Sequence, residues 1–406
     1  MSAVHIIRDE REVTGILDRL VPLIAEGAVA RDATGELPTH AIETIAASGL
    51  LALNVPRQFG GVQASAVSIA QVYRRIAAAD PSVAQIFQPH FAALDALGRV
   101  GTERQQAFFF AEALQGAWFG NGTTEIGVKR GYEHFQTHLE EVSPGGDYLL
   151  TGRKYYSTGA VHARWIAVMA KDPQARIGVA YVQRQAAGVR VEQDWNGFGQ
   201  RGTSSGTSTF ERVEVPRWRV VERWRLFERP QSHGAFGQLH HIGLDLGILD
   251  AALQDAVDYV RHRSRPSSES PFASNSEDPV VLQAFGRFSI GQRAAAALLE
   301  EAARTYDRLD PLLRDPGTDP AQAADAAAQI SLAVAAAKAF AAEQAVTLSS
   351  AVFEWMGAGG TARPLGLDRH WRNTRTHSLH DPARWKIHHL GNYLLNGALP
   401  PNNGIL

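Results

Sequence analysis

No cysteine occurs among the 406 residues, which excludes disulfides, thiolate nucleophiles and cysteine-ligated zinc or iron–sulfur centres. Charge of either sign is not in excess. Forty basic residues stand against forty-two acidic ones, for a net charge of −2, so neither nucleic acid nor an anionic membrane is an expected partner. Apolar runs of signal-peptide length are missing from the start, where Arg8, Asp9, Glu10 and Arg11 intervene, and the most apolar region, 330–346, carries Lys338 and Glu343. A soluble, cytoplasmic protein acting on small molecules is expected. No P-loop occurs. One Gly-rich stretch fits two nucleotide or nucleophile patterns formally, G-x-G-x-x-G at 197–202 and G-x-S-x-G at 202–206. Each pattern has meaning only where a strand turns into a helix, and here the strand-like residues 209–215 follow instead. Both are chance matches, and a nicotinamide site is not expected.

What the chain does have is a dense polar stretch at 367–382, with three histidines, three arginines, a tryptophan and two aspartates in sixteen residues. Around it the texture changes twice. Up to residue 115 apolar residues recur at helical spacing: Thr39 can cap a helix, 65–79 repeats the pattern, Asp80-Pro81 opens another helix and 102–114 forms a further one, giving four or five helices. Between 116 and 226 short β-branched or aromatic runs alternate with Gly, Pro and Asp, at 118–119, 134–142, 148–151, 165–170, 177–183, 189–192 and 209–215, which predicts six or seven strands in a sandwich or barrel. From 227 to 406 the helical period returns in four long segments, 240–261, 279–309, 320–356 and 367–395, the shape of a four-helix bundle. The alanine-rich tract 321–345 reads as a tightly packed bundle helix, and the Ser/Pro-rich residues 263–277 as a loop. An α+β chain follows, ordered as N-terminal helical domain, central β domain and C-terminal bundle.

Four stretches carry a resemblance to a known family: Gly152-Arg153-Lys154-Tyr155-Tyr156-Ser157-Thr158-Gly159-Ala160; Gly197 to Gly206 followed by Val213-Glu214-Val215-Pro216; Asn54-Val55-Pro56 with Phe59-Gly60-Gly61; and 367–382 itself. Together they resemble the acyl-CoA dehydrogenase superfamily, in which a flavin sits between the β domain and the bundle. Two signatures of its dehydrogenases are replaced. No Glu-Gly-Thr base motif occurs, its neighbourhood reading His377-Ser378-Leu379-His380-Asp381-Pro382, and residues 123–130 stand where E-x-x-(A/G)-G-S-D would be. Both replacements, with D-R-H-W-R-N and G-N-Y-L-L-N-G-A-L-P-P, are similar to the reduced-flavin monooxygenases of the dibenzothiophene monooxygenase and sulfur-acquisition type. Gly359 departs from that pattern, which usually has arginine there.

The resemblance implies a two-component enzyme that takes reduced FMN from a separate NAD(P)H:flavin reductase, forms a C4a-hydroperoxyflavin with O2 and oxygenates a small organosulfur compound, in a homotetramer. His380 is the first choice of proton donor, because imidazole holds or yields a proton near neutrality, with His377 beside it on the same face if the segment is helical; Pro382, which biases Asp381 away from helix, offers a boundary near His380 as the other reading. Asn121 and Ser157 would bond the flavin edge. Trp195, Ser204 and Ser205 would contact the flavin, Arg265 its phosphate, and Gln88 and His90 the substrate, with Phe87, Phe91 and Phe236 as candidate apolar lining. The pairs His240-His241 and His388-His389 lack metal-ligand spacing and read as water-exposed, and no metal is expected. The alternatives are an FAD-dependent acyl-CoA dehydrogenase using Glu125 or Asp381 as base, and a scaffold that binds no flavin.

Overall fold

The computed structural model describes residues 4–127 and 131–406, so the end of the 123–130 stretch lies outside the described residues. Six helices come first, more than the pattern suggested: α1 (Glu12–Ala25), α2 (Ala28–Thr34), α3 (Thr39–Ala47), α4 (Ala66–Ala79), α5 (Pro81–Val100) and α6 (Glu103–Leu114). Their starts follow local chemistry. The Ser65 hydroxyl accepts from the Ser68 N–H, the Asp80 carboxylate accepts from Ser82 and Val83 with Pro81 at the first helical position, and Thr102 and Gln105 form a reciprocal capping box. Thr39 caps nothing and is itself the first residue of α3.

All seven expected strands form: β1 (Phe119–Gly122), β2 (His138–Glu141), β3 (Tyr148–Lys154), β4 (Trp165–Lys171), β5 (Ile177–Gln183), β6 (Val189–Val191) and β7 (Ser208–Val215). A two-residue strand, β8 (Val220–Val221), completes one eight-stranded sheet. Its order is β6-β7-β3-β2-β4-β5-β8, with β1 joined in parallel to β4. Alternation along the central strands divides their side chains between two layers. Trp165 and Tyr181 face α5 and α6 with Leu94, Leu97, Phe109 and Phe110, while Ile166, Val168, Ala180 and Val182 pack on the other side with Leu150, Phe210 and Val213.

The bundle consists of α7 (His233–His262), α8 (Pro279–Arg314), α9 (Pro320–Met356), α10 (Asp368–His377) and α11 (Ala383–Asn396). Residues 367–395, read either as one helix or as broken near His380, are two. Pro382 has no N–H to continue the ladder and biases Asp381 out of the helical region, and the resulting turn at 378–382 carries His380. The first half of α7 is buried nearly all round and lies unusually close to α4. A Cβ on Gly247 would sit 2.3 Å from the Arg74 carbonyl oxygen, and one on Gly243 would sit 2.7 Å from that of Ala70. Alanines 335, 337, 341 and 345 let α9 approach in the same way. Gly247→Val is therefore expected to overpack the α4–α7 contact and cost about 1–3 kcal/mol or more. It should read out as a lowered melting temperature, and an unchanged one would show that the two helices can separate freely.

Candidate active site

A carboxylate at the centre of the bundle organises the site. Asp245, completely buried on α7, accepts from Lys338 Nζ of α9 at 2.7 Å and from His377 Nδ1 of α10 at 2.5 Å. Burial works to raise its pKa, but His377 and Lys338 outweigh it and hold the group below the ordinary carboxylate range. This bonding sets the tautomers above it. With Nδ1 of His377 donating to Asp245, its Nε2 accepts from His241 Nδ1 at 2.9 Å, and burial keeps both rings neutral, His241 well below its ordinary value. His241 and Asp245 are four residues apart and share one face of α7. The His241 ring in turn lies 4.2 Å from that of His380, centroid to centroid. His380 is the outermost member, its side chain 47% exposed and its Nδ1 3.4 Å from Asp381.

His380 stands where two lobes of one cleft meet, together with Gln88, Pro89, Asn121 and Thr124. The first lobe, about 410 Å³, is lined by Tyr156 and Trp195, whose rings meet edge-on at 6.0 Å, by Phe198, and by the hydroxyls of Thr158, Thr203, Ser205 and Thr376. The second, about 600 Å³, runs between α5 and the β domain past Ala92, Ala96, Phe135 and Met169 to Arg223 and His233. The walls of the first lobe are strained and incompletely bonded. Tyr156, Gln200 and Ser204 have positive φ, and the buried polar atoms of Ser157 Oγ, Ser204 Oγ, Thr376 Oγ1 and the Gln200 amide have no partner among the described residues. A planar ring with hydrogen-bonding edges and a polar tail fits this lining.

The expected site residues divide. Asn121, Trp195, Ser205, Gln88, His377 and His380 all line the cleft. Asn121 lies on β1 rather than in a turn, its Nδ2 3.3 Å from the Tyr156 carbonyl. Trp195 donates to the Gln200 carbonyl at 2.9 Å, and Ser205 bonds Thr203 and Thr158. Ser157 and Ser204 are buried in the wall behind, their hydroxyls unpartnered. His90 is a correction. Two residues on from Gln88, it points to the opposite side of α5, where Nε2 donates to the Leu51 carbonyl at 2.6 Å and Nδ1 accepts from the Phe119 N–H at 3.3 Å. Phe87, Phe91 and Phe236 are likewise core, stacked around Tyr73 and His240. Arg265 is exposed in the loop beyond α7. Within one chain it is separated from His241 by the remaining length of α7, roughly 30 Å, and does not line the flavin-sized lobe. His388 is exposed as expected, but His240 and His241 are buried. Their signal was present: 234–244 contains no charged residue, and a histidine pair in such a run belongs inside. Gly359, where arginine is the usual residue, sits against Tyr259, whose hydroxyl a Cβ would meet at 2.5 Å.

Both carboxylates that could replace a missing base are committed elsewhere. Burial works to raise Glu125, but the N–H groups of Gln136 and Thr137 and the Lys154 ammonium at 2.8 Å prevail and hold it at about 2. Asp381 is held well below the ordinary range: burial opposes this, but His380, Lys338 and Lys386, the last at 3.0 Å, dominate. Neither is a proton acceptor near neutral pH.

Models of the acyl-CoA dehydrogenase N-terminal, middle and C-terminal domains match residues 18–117, 120–213 and 239–385. The chain belongs to the acyl-CoA dehydrogenase family. Within it, the chain is 32% identical over 395 residues to a probable FMNH2-dependent monooxygenase, SfnC, of Pseudomonas putida, covering 96% of each. It is 33% identical over 393 residues to dibenzothiophene monooxygenase of Rhodococcus erythropolis, covering 92% of this chain and 90% of the relative. Among solved structures, methanesulfinate monooxygenase MsuC from Pseudomonas fluorescens superposes with a TM-score of 0.87 at 30% identity, over 97% of this chain and 99% of that one. TdsC from Paenibacillus sp. A11-2, in complex with FMN and indole, gives 0.89 at 28% identity, over 97% and 100%.

Buried neutral histidines predict that the stability of this chain falls on acidification. His240 stacks on Tyr73 at 4.5 Å with neither ring nitrogen bonded among the described residues, and burial pushes it down to about 3; burial takes His90 down to about 4. Unfolded imidazole protonates near 6.5 while these stay neutral. Their contribution to stability is therefore complete above about pH 6.5 and is lost as pH falls toward their folded values. The melting temperature should drop through that window, and His240→Phe, which keeps the ring and removes the proton, should make the drop shallower. An equally steep drop would assign the acid sensitivity to other groups.

Proposed function

We propose that this chain is a two-component, FMNH2-dependent monooxygenase of small organosulfur compounds, supplied with reduced flavin by a separate NAD(P)H:flavin reductase and working in the cytoplasm as a homotetramer. The observation that carries this reading is the imidazole of His380 at the meeting of the two lobes, with Glu125 and Asp381 both locked as paired anions. A dehydrogenase of thioesters needs a carboxylate free to take a proton, and among the described residues none lines this cleft in that state. The relatives named for FMNH2, dibenzothiophene and methanesulfinate support the same reading.

Reduced FMN with O2, when bound, supplies the electrophilic oxygen. Trp195 and Tyr156 would flank the ring, Asn121 and Ser157 bond its edge, and Ser204, Ser205 and Thr376 meet the polar side chain. His380 would hold and release the proton of the oxygen that leaves as water, its Nδ1 turned to Asp381 and its Nε2 left for the cleft. His241 and His377 act through it: they hold the ring from behind and, being neutral, add no positive charge there. The flavin lobe is lined by no lysine or arginine among the described residues, so the phosphate needs its cation from elsewhere. Arg265 of a second copy would provide it. Strongly exposed apolar residues on α8 (Val280, Leu282, Ile290) and α11 (Leu394, Leu395) are suited to bringing copies together.

Protein, FMN, NADH and a flavin reductase under air should oxygenate an organosulfur compound and leave acyl-CoA untouched. Acyl-CoA oxidation without the reductase would overturn the assignment. His380→Phe should keep flavin affinity but lower product formation about 10²–10⁴-fold, with hydrogen peroxide released in its place, whereas unchanged coupling would remove His380 from the mechanism.

A further inference from the structure

The wall of the flavin-sized lobe holds a carboxamide whose hydrogen-bonding capacity is unused. Gln200 is only 3% exposed and lines the lobe, yet neither its Oε1 nor its Nε2 has a partner among the described residues. Burying an amide in that state is costly. The backbone beneath it is strained as well, with φ at 54°, where a residue other than glycine rarely sits. That conformation is pinned at both ends of the residue. The Gln200 N–H donates to Asn373 Oδ1 of α10 at 2.5 Å, and the Gln200 carbonyl accepts from the Trp195 indole at 2.9 Å and from the Thr203 hydroxyl at 2.9 Å. Gly199, whose Cβ would lie 2.0 Å from the Arg372 carbonyl oxygen, lets the loop rest directly on α10.

Asn373 is fixed in its turn. The Gln200 N–H can only donate and the Asp32 carboxylate can only accept, so the Asn373 amide has one orientation, with Nδ2 donating to Asp32 Oδ1 at 3.1 Å. The same carboxylate pairs with Arg372, whose Nη1 donates to the Phe198 carbonyl at 3.0 Å, and Arg201 donates to the carbonyls of Asp32 and Ala33 at 3.1 and 2.5 Å. Helix α2, the loop 197–204 and α10 are thus tied together around a residue whose side chain is left unbonded. Asn373 and His377 lie four apart on α10, so the helix that holds Gln200 also carries the histidine bound to Asp245. Resting on the monooxygenase reading above, we propose that the Gln200 carboxamide is a ligand of the bound flavin, donating through Nε2 and accepting through Oε1, and that Asn373 and Asp32 are positioning residues that keep it aimed into the lobe. A flavin offers both complements: carbonyls and an imide N–H along one ring edge, and hydroxyls along its side chain. The strain and the missing bonds belong to a site built in advance of its ligand, which then binds without having to order the loop.

The probes are lumiflavin, riboflavin and FMN, titrated against the whole chain by flavin fluorescence: the first is the ring alone, the second adds the ribityl chain and the third the phosphate. Gln200→Leu, close in size, should weaken binding about 5- to 100-fold, the loss first appearing with the probe that carries the bonded group. The melting temperature of the flavin-free variant should not fall, because two unpaired buried polar atoms have been replaced by apolar ones. Asn373→Ala should weaken flavin binding too, yet add little to Gln200→Leu in the double variant, since it acts through the amide; fully additive losses would overturn its positioning role. Unchanged affinity of Gln200→Leu for all three flavins would overturn the proposal, and a loss accompanied by a lowered melting temperature of the flavin-free protein would make the residue structural and overturn it as well. If organosulfur compounds are oxygenated with FMN, NADH and a reductase while Gln200→Leu binds flavin as the unaltered chain does, the ligand assignment fails and the monooxygenase reading stands. If Gln200→Leu weakens flavin binding but nothing is oxygenated, the assignment stands and the monooxygenase reading fails.

Discussion

The structure depends on a single carboxylate buried without access to water. Asp245 on α7 is satisfied only because Lys338 reaches it from α9 and His377 from α10. Taking such an ion out of water is expensive, and removing either partner would leave an uncompensated charge at a cost of about 3–5 kcal/mol. Three helices are thereby held in one register. The same bond fixes which nitrogen of His377 carries hydrogen, hence the orientation of His241, hence the surface on which His380 rests. The polar core of the bundle and the reactive end of the cleft are one construction.

That construction suits oxygen transfer better than proton abstraction from carbon. Carboxylates near the cleft are each tied to an ammonium group, so the side chain available at the junction of the lobes is an imidazole. One lobe presents aromatic faces and unsatisfied hydroxyls, the other small apolar residues ending at Arg223. A planar cofactor and a small organosulfur substrate would meet at His380.

Most of this architecture was legible in the sequence because its signals are local. The helical periods at 65–79 and 102–114, the Asp80-Pro81 start and the seven short β-branched runs each mark an element through chemistry within a few residues, while Thr39, the cap expected for α3, lies inside that helix. Side-chain direction was harder. Periodicity sorts apolar from polar faces only on helices that have both, and α5 and the first half of α7 are buried nearly all round, so nothing told His90 from Gln88 or set His241 apart as a buried network member. Asp245 and Lys338 were hidden for a related reason: they lie ninety-three residues apart, and only the packing of α7 on α9 makes them a pair. The turn at His380 was half visible, since Pro382 argues for a break while the helical period on either side argues against one. Arg265 shows a different limit, because its position in a loop is readable but the neighbour it might reach is not part of one chain.

Isotopic tracing reaches the central claim most directly. Turnover of the organosulfur substrate under ¹⁸O2, with reduced FMN supplied enzymatically and the product weighed by mass spectrometry, should place one ¹⁸O atom in each product molecule and the other in water. A product that draws its new oxygen from water, or a substrate oxidised with no oxygen gained, would contradict a monooxygenase built around His380.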